Sequence, residues 1–143
     1  MRVYEASLKY KLVRTGPLEV LDSPSKVFDY MDGAFDMDPT VEWFYVILLN
    51  RKNRPLGRVA VTKGTATAAL VHPREVFRPA VLTNSSGIIV VHNHPSGDPK
   101  PSQADIDMTQ AIIASAKPFD IIIHDHIIIA RNGQTSFRNE GLI

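Results

Sequence analysis

Two rhythms of apolar residues run through this chain. VEWFYVILLN, residues 41–50, is apolar almost throughout apart from Glu42, and its β-branched and aromatic composition predicts a strand buried on both faces. GIIVVHNH, residues 87–94, is a second such strand that stays apolar until it meets two histidines. LGRVAV and TATAALV predict two further strands around Gly64, and DIIIH followed by DHIIIA predicts strand structure broken or bent at the histidines. RNGQ, from Arg131, predicts a hairpin turn before the final TSFRNEGLI. YEASLKYKLV alternates residue types as a partly exposed strand does, ending at the breaker Thr15-Gly16-Pro17.

The second rhythm is helical. In SPSKVFDYMDGAF, Ser23 is a plausible N-cap with Pro24 at the first helical position, and Val27, Tyr30, Met31 and Phe35 recur at helical spacing, with an interruption expected near Gly33. HPREVFRPAVL places Pro73 where a helix starts, with His72 as its cap. Ser102 opens a third helix: it is a good N-cap, Asp105 falls at N3, and Ile106, Ile112 and Ile113 supply part of an apolar stripe. Strands and helices interleave, so the expected class is α/β, a mixed sheet flanked by helices.

The chain has 143 residues, enough for one core. The working division is residues 1–40, a strand and helix belonging to or packed on the domain, and residues 41–143, the domain that carries the chemistry. The charges nearly cancel at +1, so no global field recruits nucleic acid or an acidic membrane. Nucleic acid stays possible but unsupported by charge. Arg51, Lys52, Arg54 and Arg58 form a basic turn, read as a solvated face. The N-terminus has neither a signal-peptide core nor a membrane span, so the cytoplasm is the expected location. Cysteine is absent, which excludes thiolate nucleophiles and thiolate-held metals. Any metal must be held by His, Asp, Glu or water.

That restriction gives the histidines their interest. His92 and His94 are two apart on a strand, so both rings face the same side. Asp105 follows eleven residues after His94, in the first turn of the next helix, where a Pro/Gly bend can fold it back over the strand end. Three such ligands leave one tetrahedral position for water, as expected of catalytic rather than structural zinc. Glu42, a lone carboxylate in an apolar strand, is the candidate proton carrier, and Ser102 is a candidate donor to a developing oxyanion. The plainer reading of Ser102 and Asp105 is N-capping, which is compatible with both roles. His124 and His126 form a second pair with no third ligand in view, and a structural or ligand-supporting role is expected of them. Trp43, Phe44 and Tyr45 are expected in the core.

Glu42 together with HNHPSGDPKPSQAD, residues 92–105, resembles the JAMM signature of JAB/MPN-type metalloproteases: a glutamate on an early strand, then H-x-H, seven residues, Ser, two residues, Asp. With HPREVF before it and DHIIIA and SFRNEGLI after it, the chain looks like the RadC-like branch of that family from about Glu42 onward. The resemblance implies a cytidine-deaminase-like three-layer α/β sandwich, zinc on His92, His94 and Asp105, Glu42 as general base and Ser102 as oxyanion helper. Glu75 is the rival base, but it sits on an expected helix. The implied activity is that of a zinc peptidase or isopeptidase acting on a peptide or protein. The alternative is a non-catalytic zinc-containing module binding protein or DNA in connection with DNA repair. A helix-hairpin-helix segment often precedes this domain in longer RadC proteins; these 143 residues are not expected to contain it, and with it the most obvious DNA-contacting part. Zinc deamination is disfavoured, because that chemistry expects H-x-E with P-C-x-x-C. Substrate and oligomeric state are left open.

Overall fold

The strand rhythm places apolar side chains on both faces of a sheet, and a computed structural model, which describes residues 1–17, 19–65 and 71–143, shows what covers each face. The helices are α1 (Pro24–Tyr30), α2 (Pro73–Leu82) and α3 (Gln103–Ala116); the strands are β1 (Glu42–Leu49), β2 (Pro55–Thr65), β3 (Gly87–His94), β4 (Ile122–Ala130) and β5 (Gly133–Ser136). They form one five-stranded sheet in the order β2-β1-β3-β4-β5. The β3–β4 pair is parallel and the others antiparallel, so the sheet is mixed. The parallel pair requires a crossover, and α3 provides it.

Alternation along β1 and β3 divides the core in two. Phe44, Val46, Leu48, Ile88 and Val90 pack with Val76, Phe77 and Ala80 of α2 and Met108, Ile112 and Ala116 of α3. Ile47, Leu49, Ile89 and Val91 pack on the opposite face with Leu21, Val27 and Met31. The result is three layers: α1, the sheet, then α2 and α3. Each fully buried aliphatic side chain contributes about 1.5–3 kcal/mol, which makes β1 and β3 the stable frame. Among the described residues, no helix is long and apolar enough to cross a membrane.

Several expectations are revised. Residues 4–13 form no strand: they take no regular secondary structure and leave Tyr4, Tyr10, Leu12 and Val13 exposed. Alternation alone makes no strand, because its backbone groups need a paired edge. Residues 120–130 form one strand from Ile122, and the break at the histidines is a register irregularity opposite Ile88 and Ile89. LGRVAV lies within β2, which runs on to Thr65; most of TATAALV lies outside the described residues. His72 occupies the N-cap of α2 but makes no capping bond with its side chain. The basic turn is only partly a solvated face, since Arg58 donates to the carbonyls of Tyr30 and Asp32 at the end of α1, where a cation meets the negative end of the helix dipole.

Candidate metal centre

β3 runs out of the core at its C-terminal end. Because strand side chains alternate, His92 and His94 point toward the α3 layer while Asn93 points the other way. β1 pairs antiparallel with β3, Phe44 opposite His92. Glu42 lies two residues before Phe44 and therefore on the same face as the histidines. The bend after His94 then brings the start of α3 to this edge. Ser102 caps that helix: its hydroxyl accepts from the Asp105 amide at 3.1 Å, and its own amide donates to Asp105 Oδ2 at 2.8 Å. This reciprocal box fixes the first turn of α3 and turns the Asp105 carboxylate toward the imidazoles.

Glu42, His92, His94 and Asp105 offer ligand atoms that all lie within 4.8 Å of one another. Three of them are drawn closer. Nε2 of His92 and Nε2 of His94 are 3.0 Å apart, His92 Nε2 is 3.3 Å from Asp105 Oδ1, and His94 Nε2 is 3.2 Å from Asp105 Oδ2. Tetrahedral coordination at metal–ligand bonds near 2.05 Å requires ligand atoms separated by roughly 3.3 Å. Each separation is close to one such edge, and because the two to Asp105 run to different oxygens, Oδ1 and Oδ2, the carboxylate spans the two imidazoles. Glu42 stands further back, its Oε1 3.6 Å from His92 Nε2.

The protonation pattern also fits a cation. His94 Nδ1 lies 2.8 Å from the Asp98 carbonyl, which can only accept. The neutral ring must therefore carry its proton on Nδ1 and turn an unshared pair on Nε2 toward His92 and the carboxylate. Burial opposes ionisation of Asp105, but contacts with His92 and His94 and the Ser102 amide outweigh it and hold its carboxyl well below the usual range. The contact with Asp105 in turn raises His94, so a proton competes for the place of a cation. Glu42 is shifted upward by burial, with His92 opposing, which makes it a better proton acceptor than an exposed glutamate. The group could hold a metal ion.

Supporting residues come from further away. Asn93, 6% exposed, accepts from the Trp43 amide at 2.7 Å and donates to the Val41 carbonyl at 3.0 Å, gripping the backbone on both sides of Glu42. His126, fully buried, lies with Nε2 2.7 Å from His92 Nδ1 and Nδ1 2.6 Å from the Thr109 hydroxyl; burial holds its pKa well below the ordinary histidine value, so the ring is neutral. His124 instead lies half-buried against Gly87, where an added Cβ would meet its ring at 2.4 Å. Asp125 accepts from its neighbour's amide and from Ser136 and Arg138, tying β4 to the C-terminal segment. Glu75 is on α2 in an ion pair with Arg78, outside the four-residue group. Trp43 and Phe44 are core residues and Tyr45 is partly buried. Asn93 and Thr109 escaped the sequence reading. The available signals were Asn93's place between two same-face residues and Thr109's place one helical turn after Asp105.

Comparison with known proteins adds the family. A model of the RadC-like JAB domain matches residues 21–142. A UPF0758 protein of Symbiobacterium thermophilum is 40% identical over 129 residues, covering 89% of this chain and 55% of the relative. One of Geotalea uraniireducens is 41% identical over 139 residues, covering 97% and 60%. One of Rhodobacter capsulatus is 41% identical over 145 residues, covering all of this chain and 67% of the relative. The chain thus spans little more than half the length of the first two, and their names state no activity.

Proposed function

This chain belongs to the RadC-like JAB domain family, and from that premise we propose that it is a zinc-dependent hydrolase of amide bonds, a peptidase or isopeptidase acting on a peptide or protein. The observation that carries the proposal is the gathering of His92, His94 and Asp105, whose ligand atoms lie 3.0–3.3 Å apart with the Asp105 carboxylate spanning the two imidazoles, and a second, separately held carboxylate beside them. A purely structural zinc site would have four protein ligands closed around it. Here Glu42 is displaced from the triangle and raised in pKa, the condition of a proton carrier.

When bound, the ion would supply Lewis acidity, lowering the pKa of a water toward about 7 and polarising a carbonyl. Glu42 accepts the proton of the attacking water and delivers it to the amine as the C–N bond breaks, so water and amide become acid and amine. Ser102 already accepts the Asp105 amide, which leaves its hydroxyl hydrogen free to donate to the developing oxyanion. His92, His94 and Asp105 would hold the ion, and two imidazoles with one carboxylate would leave it net positive.

The test compares elemental zinc content and peptide or isopeptide cleavage in the wild type, His92→Ala and Glu42→Gln. Expected are stoichiometric zinc in the wild type, loss of zinc in His92→Ala, and retained zinc with lost turnover in Glu42→Gln. A metal-free wild type, or full activity without Glu42, overturns the proposal.

A further inference from the structure

His92 and Asp105 are joined twice: once across the donor triangle, and again through the interior of the protein. The Thr109 hydroxyl donates to the Asp105 carbonyl at 2.7 Å, one turn back along α3. A hydroxyl has one hydrogen, so toward His126 Nδ1, 2.6 Å away, it can only accept. His126 must then carry its proton on Nδ1. Its Nε2, 2.7 Å from His92 Nδ1, is an acceptor, and His92 must donate from Nδ1. The chain of constraints ends at His92 Nε2, which is left with an unshared pair facing His94 Nε2 and the Asp105 carboxylate.

Nothing else in the surroundings accounts for so polar a core. Thr109 and His126 are both 0% exposed. Phe137 stacks on His126 at 4.3 Å between ring centroids, and Phe44 meets it edge-on at 5.9 Å. These walls resist the ring flip that would exchange its two nitrogens. Buried polar groups are tolerated where every donor and acceptor is paired, and on the side chains of Thr109 and His126 each one is.

Resting on the cation-binding reading of the site, we infer that Thr109 and His126 are positioning residues that set the tautomer of His92, so that Nε2 is bare where a cation is to be held. The direction of the chain is set by a backbone carbonyl, which cannot donate. The reverse chain would run from the Thr109 hydroxyl through His126 Nε2–H and place the His92 proton on Nε2, pointing into the triangle where it would exclude a cation. The same links register α3 against β3 and β4, so the helix that brings Asp105 and the strand that brings His92 are held together from behind.

Ring-nitrogen NMR of 15N-labelled, metal-free protein tests the chain of protons without metal or substrate. His126 and His92 are expected to be pyrrole-like at Nδ1 and pyridine-like at Nε2. Zn2+ affinity, read by competition with a chromogenic chelator, is expected to weaken about 10- to 100-fold in Thr109→Val. Thr109→Ser restores the hydroxyl and is expected to regain wild-type affinity and the wild-type nitrogen pattern. Protons on Nε2 of His126 and His92, or a Thr109→Val protein with the nitrogen pattern and affinity of the wild type, overturns the inference. A wild type that binds no Zn2+ yet shows the expected nitrogen pattern refutes the cation site and leaves the tautomer assignment standing.

Discussion

Asn93 stands between two metal-ligand candidates, yet its side chain serves a different strand, and removing it separates backbone support from metal binding. In Asn93→Ala the Trp43 amide loses its acceptor and the Val41 carbonyl its donor. A buried group left unpaired costs about 1–3 kcal/mol, and the contact to Val41 is only partly shielded, so we expect a total loss of about 2–4 kcal/mol. At about 2–4 °C per kcal/mol for a domain near this size, the melting temperature should fall by about 4–16 °C. Asn93→Asp should fail similarly, because a carboxylate accepts from Trp43 but offers the Val41 carbonyl no hydrogen. His92 and His94 lie on the other face of β3, held by α3 and β4, so Zn2+ affinity should stay within about threefold of wild type in both variants. Glu42, between the two gripped peptides, should lose its fixed position, and turnover should fall more than cation affinity. Urea unfolding beside chelator competition gives both numbers from one preparation. An Asn93→Ala protein destabilised by less than about 0.5 kcal/mol, or one whose Zn2+ affinity collapses with its stability, would refute the reasoning.

Glu42→Gln should keep zinc while its rate falls by about 10²- to 10⁴-fold, measured as kcat on any peptide the wild type cleaves. The acid limb of wild-type activity should lie above the ordinary glutamate range near pH 4.3, because burial raises Glu42 and its base form is lost as pH falls through that raised value. Ser102→Ala removes the cap of α3, costing about 0.5–2 kcal/mol in thermal unfolding, and should weaken Zn2+ as well, since the cap also orients Asp105; weakened stability with unchanged affinity would separate the two roles. Contact with Asp105 raises His94 above the ordinary histidine value, so below that raised pKa zinc must displace its proton. Affinity should then fall about tenfold per pH unit for each proton displaced, with matching proton release to an indicator dye.

The grouping of His92, His94 and Asp105 was legible in the chain because it depends on short-range geometry. A two-residue repeat on a strand puts His92 and His94 on one side, and a Ser-x-x-Asp helix start fixes Asp105 against its own cap. The same local rules predict β1, β3 and α3 with boundaries close to those observed, because each joins a strong apolar pattern to a clear stop. α1 is shorter than its apolar spacing suggests: it ends at Tyr30 with Met31 as its C-cap, before Gly33 at φ +75°, and Phe35 lies beyond it.

What the chain alone left open is decided by contacts across long separations. Residues 4–13 alternate like a strand, but a strand needs ladder hydrogen bonds to a partner, and these residues pair with no strand of the described sheet. Asn93 meets residues some 50 positions away, and His126 meets His92 across 34 and Thr109 across 17. No periodicity encodes such pairings. Local sequence sets which face a side chain points to, whereas its hydrogen-bond partner, and with it the nitrogen that carries a proton, is set only when the sheet and α3 pack and exclude water from between them.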